Sequence, residues 1–141
     1  MSAQQRGIRA TGLVAATAVV AMLAWVWPVQ VAPRKHDVTL LYIGSEDCAP
    51  CRAWQRDEGA SFRSSAEFAR ITYREVKSPS LLDVLHDEYW PDDLRRYRDR
   101  LGRRAGVPLW LIIADQEVVN QAFGASQWHS AVVPKLKALL R

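Results

Sequence analysis

The chain has 141 residues, of which 49% are hydrophobic and 24% charged, and it carries a formal net charge of +4. That length accommodates one domain and an appendage, and that apolar fraction excludes an intrinsically disordered chain. The modest charge, with no interleaving of basic and aromatic residues, gives no reason to expect a nucleic-acid partner.

The appendage comes first. Arg6 and Arg9 precede an uncharged stretch from Ala10 to Ala32, rich in Ala, Val and Leu, which ends before Arg34 and Lys35. The stretch is long enough to span a bilayer as a helix. A cleaved secretory signal is the alternative, but it has a shorter apolar core and a small-x-small exit. Neither Ala24, with Met22 two residues before it, nor Ala32, with Gln30, provides that exit. Trp25 and Trp27 fall where an interfacial aromatic belt is expected, and Pro28 ends the helix. The expectation is a signal anchor over residues 1–33, with a transmembrane helix over about 10–32 and a domain over 34–141. Arg6 and Arg9 favour a cytoplasmic N-terminus, a bias that Arg34 and Lys35 weaken. The domain then stands in the periplasm, tethered to the inner membrane, or free there if the signal is cleaved.

The domain opens with Val38–Gly44, a short apolar run rich in β-branched and aromatic residues, which predicts a buried strand. Ser45 to Trp54 follows and holds both cysteines, Cys48 and Cys51, ahead of a segment of helical composition. A Cys-x-x-Cys pair at a strand-to-helix junction marks a thiol redox site. The unpaired N–H groups and the positive dipole end of the helix favour a thiolate at Cys48. Cys51, three residues on, lies on the same helical face within reach. A structural disulfide is a weaker reading, because so short a loop removes little entropy from the unfolded chain. A structural metal site is weaker too. There is no second cysteine pair, and His36, His86 and His129 are scattered.

Trp54, Phe62, Phe68 and Ile71 predict a long, interrupted helical stretch with an irregularity at Gly59. Ile71–Lys77 alternates apolar and polar residues and predicts a second strand. Ser78-Pro79-Ser80 starts a helix with Ser78 or Ser80 as cap and Leu81, Leu82 and Leu85 on its inner face. Trp90-Pro91 breaks it, and Asp92-Asp93 opens another helix from Leu94 to about Ala105. The second helix carries Arg95, Arg96, Arg98, Arg100, Arg103 and Arg104, read as a solvated face partly neutralised by Asp92, Asp93 and Asp99 rather than as a docking patch. Leu109–Ala114 is the most strand-like run in the chain. A turn at Asp115-Gln116-Glu117 returns it as a hairpin through Phe123. The tail from Ser126 to Leu140 is helical in pattern, with Pro134 implying a kink or a late start. This alternation of elements predicts an α/β domain, a central mixed sheet with helices on both faces.

Three motifs together resemble the thioredoxin superfamily over about Val38 to Leu140. They are Cys48-Ala49-Pro50-Cys51 at a helix start, Gly106-Val107-Pro108 opening a strand, and Ala122-Phe123-Gly124-Ala125 before the last helix. The resemblance implies a thioredoxin-like fold in which Pro108 is cis and packs beside the cysteines, while Val107 offers its backbone to an extended substrate. It implies a redox-active disulfide in place of any separate cofactor, protein disulfide or dithiol substrates, and an upstream electron donor such as a membrane reductase. The chain departs from the family in three places. Asp47 stands where a Trp usually precedes the first cysteine, and its charge opposes a thiolate at Cys48. Tyr42 occupies the place of the family's buried acid. The segment from about 78 to 105 is a longer, two-helix insert. The expected activity is thiol–disulfide exchange by Cys48 and Cys51, tuned by Ala49 and Pro50, with reduction favoured over oxidation. The alternatives are Cu(I) handling through the same pair, since thiolates are soft ligands, and a redox-silent binding module using the groove at Val107-Pro108.

Overall fold

The structure, a computed structural model, describes residues 37–102 and 105–141. The expected anchor over residues 10–32 and its flanking basic residues lie outside the described residues, as do Arg103 and Arg104. Among the described residues no helix is long and apolar enough to cross a membrane.

Strand β1 (Val38–Ser45) is the centre of the domain, buried at every position but Thr39. It is unbroken in its hydrophobicity because both of its faces are covered. It pairs in parallel with β2 (Thr72–Ser78) and antiparallel with β3 (Leu109–Ala114), and β3 pairs antiparallel with β4 (Glu117–Phe123). The sheet order is β2-β1-β3-β4. The β3–β4 hairpin turns on Asp115 and Gln116, both left-handed at φ 50° and 71°, the geometry whose twist matches the flanking strands.

Alternate residues of β1 feed two cores. On one face Leu40 and Tyr42 meet α1 (Ala49–Arg56), α2 (Glu58–Arg63) and α4 (Val133–Leu139) through Trp54, Phe62, Trp128 and Leu136. On the other face Leu41 and Ile43 meet Val84, Trp90, and Leu94 and Tyr97 of α3 (Asp92–Arg98). A π-helical turn, Trp128–Val132, leads into α4, whose second residue is Pro134. The proline, which lacks a donor, thus sits where the wider π-turn gives way to the α-helix, the place of the irregularity for which the sequence implies a kink or a late start.

The first core is aromatic. Trp54 stacks on Tyr42 with ring centroids 4.7 Å apart and meets Trp110 and Trp128 edge-on at 5.2 and 4.9 Å. Each such pair contributes roughly 0.5–1.5 kcal/mol beyond its buried area. Trp54 is thereby the anchor of α1, and Cys51 shares its buried face.

Four expectations are corrected. The segment after β2 is not a helix with Leu81, Leu82 and Leu85 inside. It forms two 3₁₀ turns, Leu81–Asp83 and Asp87–Tyr89, with Leu82 87% exposed and Leu81 47% exposed; it buries Val84 and Trp90, and of the three leucines only Leu85 packs against that core, half-buried. The Trp90 indole N–H donates to the Val84 carbonyl at 2.7 Å, occupying an acceptor that an α-helix would need. Ser80 does cap its turn, accepting from the Leu82 amide at 3.2 Å. Second, α3 ends at Arg98 rather than near Ala105, so the described part of the insert holds one α-helix instead of two. Third, the α1–α2 break falls at Asp57. Gly59 serves packing, since a Cβ there would lie 3.1 Å from the Trp54 ring and 3.2 Å from its carbonyl oxygen. Fourth, the predicted second strand begins one residue late, at Thr72.

Three of the four described arginines of the insert form ion pairs, and the fourth bonds a neutral amide. Arg95 pairs with Asp92 at 2.9 Å, Arg98 with Asp87 and Asp99, and Arg100 with Glu117 at 3.5 Å, while Arg96 donates to the Gln116 side chain at 3.3 Å.

Candidate active site

β1 ends at Ser45, and two residues of turn deliver Cys48 to the N-cap of α1. The backbone of Cys48 is extended, at φ −83° and ψ 107°, while its carbonyl already accepts the first helical bond, from Arg52 N–H at 3.1 Å. Its Sγ accepts from the Cys51 backbone N–H at 3.2 Å, the place where a capping oxygen usually sits. Pro50 is the second helical residue, where it displaces no hydrogen bond. A disulfide joins Cys48 and Cys51, with their Cα atoms 5.2 Å apart. The two sulfurs differ in access. Cys51 is wholly buried, whereas Cys48 is partly exposed between the exposed Asp47 and Ala49.

Val107-Pro108 is a cis peptide, and the Val107 carbonyl oxygen lies 3.8 Å from Cys48 Sγ. In the disulfide no thiol proton bridges them. On reduction the Cys48 thiol has that carbonyl as a nearby acceptor. The Pro108 carbonyl in turn accepts from the Gly124 amide at 2.8 Å. Gly124, at φ +90°, adopts a conformation that side chains disfavour. The three sequence motifs are therefore brought to one end of the sheet.

Asp47 does not pair with Arg52, whose guanidinium donates to the Glu46 carbonyl. The Asp47 carboxylate accepts from the Leu81 amide, at 2.9 and 3.1 Å. The Ser45 hydroxyl beside it and this amide hold its carboxyl below the ordinary carboxylate range. Asp47 is therefore ionised beside Cys48 at neutral pH, and the bond its oxygens accept from the Leu81 amide also ties the first turn of the insert to the redox turn.

Tyr42 is legible in the sequence at the place of the expected acid, but its partner is not. The phenol is buried, its oxygen accepts from Gln55 Nε2 at 3.0 Å, and burial pushes it up to about 12. Gln55, one turn beyond Cys51, was legible only as a polar residue on the helix. The apolar residues Leu81, Leu82 and Phe123 were likewise missed as surface features of the site. Among the described residues no group of three or more His, Cys, Asp or Glu is placed to hold a metal ion.

This arrangement defines a thioredoxin-like fold carrying, at a helix N-terminus, a disulfide of which only the Cys48 side is partly exposed. The chain is similar to the periplasmic thioredoxin SoxS from Paracoccus pantotrophus in its reduced form, with a TM-score of 0.51 and 14% identity over 74% of this chain and 96% of that one. It is also similar to thioredoxin f from spinach chloroplast, with a TM-score of 0.51 and 16% identity over 74% of this chain and 77% of that one. No protein-family model matches the sequence, and no curated protein matches it.

Proposed function

We propose that the protein is an extracytoplasmic thiol–disulfide oxidoreductase that reduces disulfides of envelope proteins. The observation that carries this reading is the asymmetry of the pair, with one sulfur at the surface beside Val107 and the other sealed in the core. In the reduced protein the Cys48 thiolate, favoured by the Cys51 N–H and the N-terminus of α1, attacks one sulfur of a substrate disulfide. A Cys48–substrate disulfide forms and the other substrate sulfur leaves as a thiolate. Cys51, deprotonated, then attacks Cys48 Sγ and expels the second substrate thiolate. The substrate has gained two electrons, and the Cys48–Cys51 disulfide of the present structure is the oxidised product. An upstream donor, with a membrane reductase the class that fits an anchored domain, returns the pair to the dithiol.

The reducing direction rests on Pro50 in the second intervening position, which resembles reducing members of the thioredoxin superfamily. The location rests on the apolar stretch from Ala10 to Ala32 behind Arg6 and Arg9, and SoxS, which shares the fold, is itself periplasmic. Insulin reduction by the full chain, with its thiol state and metal content measured alongside, tests the reading. Turnover with a metal-free dithiol is the expected result. Bound Cu(I) without turnover would replace it with the metal-handling alternative.

A further inference from the structure

Among the described residues four large apolar side chains stand exposed: Leu81, Leu82, Val119 and Phe123. Three of them, Leu81, Leu82 and Phe123, lie on segments that adjoin the redox turn or the Val107-Pro108 peptide. The Leu81 amide is bonded to the carboxylate of Asp47, the residue before Cys48. Phe123 lies over Gly106, the residue before Val107, so closely that a Cβ on Gly106 would fall 2.3 Å from its ring. Leu82, Leu81, Asp47, Cys48, Val107, Gly106 and Phe123 thus follow one another across a single surface.

The leucine turn is held in place. Besides the Asp47 bond, Ser80 Oγ accepts from the Leu82 amide, Ser78 Oγ donates to the Ser80 carbonyl at 2.6 Å, and the Glu46 amide donates to the Ser78 carbonyl at 2.9 Å. Two leucines displayed on a bonded turn have already lost the backbone freedom that binding would otherwise remove.

The occupant follows from the chemistry. A polypeptide joined to Cys48 by a disulfide has its cysteine Cα within about 4.4–6.8 Å of the Cys48 Cα. An extended chain advances roughly 3.3 Å per residue, so residues one or two places from that cysteine come within reach of the leucine turn on one side and of Phe123 on the other.

We infer that the Leu81–Leu82 turn is a specificity shelf for an extended substrate polypeptide, taking an apolar side chain one or two residues from the reactive cysteine, with Phe123 bounding the far side. The inference rests on the redox function proposed above and names the substrate feature that the site selects.

The test uses the reduced full chain and short serine-rich peptides with one cysteine, blocked as its mixed disulfide with thionitrobenzoate. Leu or Ser occupies the positions flanking the cysteine. Cys48 displaces thionitrobenzoate, whose absorbance gives the rate, and each variant is normalised to its own rate with the symmetric thionitrobenzoate disulfide. Wild type should react roughly tenfold faster with the Leu-flanked peptide, the lower end of what one apolar contact confers. In Leu81→Ser/Leu82→Ser the ratio should fall close to one, and in Val119→Ser it should stay at the wild-type value. Exchange with both peptides at one rate in wild type overturns the shelf and leaves the redox function standing. So does an unchanged preference in the double variant accompanied by a loss of self-association or of binding to lipid vesicles, because a second copy or a lipid surface would then be the occupant. No exchange with any probe overturns the redox function and the shelf with it.

Discussion

The phenol oxygen of Tyr42 on β1 accepts a hydrogen bond from Gln55 Nε2 on α1 at 3.0 Å. The bond ties the central strand to the helix that carries both cysteines, and the ring beneath it stacks on Trp54. A buried acid is expected at this position from the thioredoxin resemblance, and the chain places there a group that keeps its proton at neutral pH. In the mechanism proposed above, the resolving step at Cys51 therefore has no buried carboxylate at this point of β1 to receive a proton.

Tyr42 should make the domain sensitive to alkali. Burial raises its pKa from 10.0 to about 12, so the folded state holds the proton more tightly than the unfolded one. The resulting stability is complete below pH 10 and is lost as the pH rises toward 12, at up to about 1.4 kcal/mol per pH unit. Tyr42→Phe should cost about 1 kcal/mol at neutral pH for the lost hydrogen bond, yet show a shallower alkaline decline. Tyr73, raised by burial and by its bond to Glu75, and Tyr89, raised by its bond to Glu88, contribute to the remaining slope. Urea denaturation of both proteins across this range measures the difference, and equal slopes would refute it.

Gly44 should be intolerant of a methyl group for a neighbouring reason. A Cβ there would lie 2.3 Å from the Tyr42 hydroxyl oxygen and 2.7 Å from Cζ, and the buried ring has no free space to enter. Gly44→Ala is expected to cost roughly 1–3 kcal/mol, the range for overpacking a core. In a Tyr42→Phe background the cost should shrink without vanishing, because Cζ remains. A double-mutant cycle reads that coupling directly, and strict additivity would count against the contact.

The cysteines should divide their labour as their burial divides them. Cys48→Ser is expected to abolish thiol exchange, whereas Cys51→Ser should accumulate mixed disulfides through the accessible Cys48. Brief alkylation of the reduced protein followed by peptide mapping identifies the reactive thiol. Preferential labelling of Cys51, which is 0% exposed here, would reverse the assignment.

Much of this was legible because local and tertiary preferences agree. β1 and β3 read as buried strands, since a sheet covered on both faces needs unbroken apolar runs, and the redox turn follows from two cysteines at the next helix start. The insert was misread where they disagree. Leu81, Leu82 and Leu85 have helical spacing, but the Trp90 indole takes the Val84 carbonyl, and Val84 goes inward with Leu85 half-buried beside that core, while Leu81 and Leu82 stay outside. No local pattern announces a hydrogen bond of that kind. The clamp from Asp47 to Leu81 spans 34 residues, a separation at which no local spacing points to the partner.

That clamp allows the charge of Asp47 to be separated from its structural bond. The Ser45 hydroxyl and the Leu81 amide favour the ionised carboxylate. Its contribution to stability is therefore present above the ordinary aspartate range and lost only as the pH falls through its lowered pKa. At neutral pH a full negative charge stands beside Cys48 and opposes a thiolate there, against the helix N-terminus. Asp47→Asn removes the charge while its amide oxygen can still accept from Leu81. Asp47→Ala removes both. The pH midpoint for iodoacetamide alkylation of Cys48 should move lower in each variant, and each should be a stronger oxidant, because a more stable thiolate stabilises the reduced form. The preference for Leu-flanked peptides should survive in Asp47→Asn and weaken in Asp47→Ala, where the turn carrying Leu81 and Leu82 is released. Alkylation midpoints that stay put or rise in both variants would show that the carboxylate charge does not reach the Cys48 sulfur. A peptide preference equal in the two variants would show that the bond to Leu81 does not hold the turn.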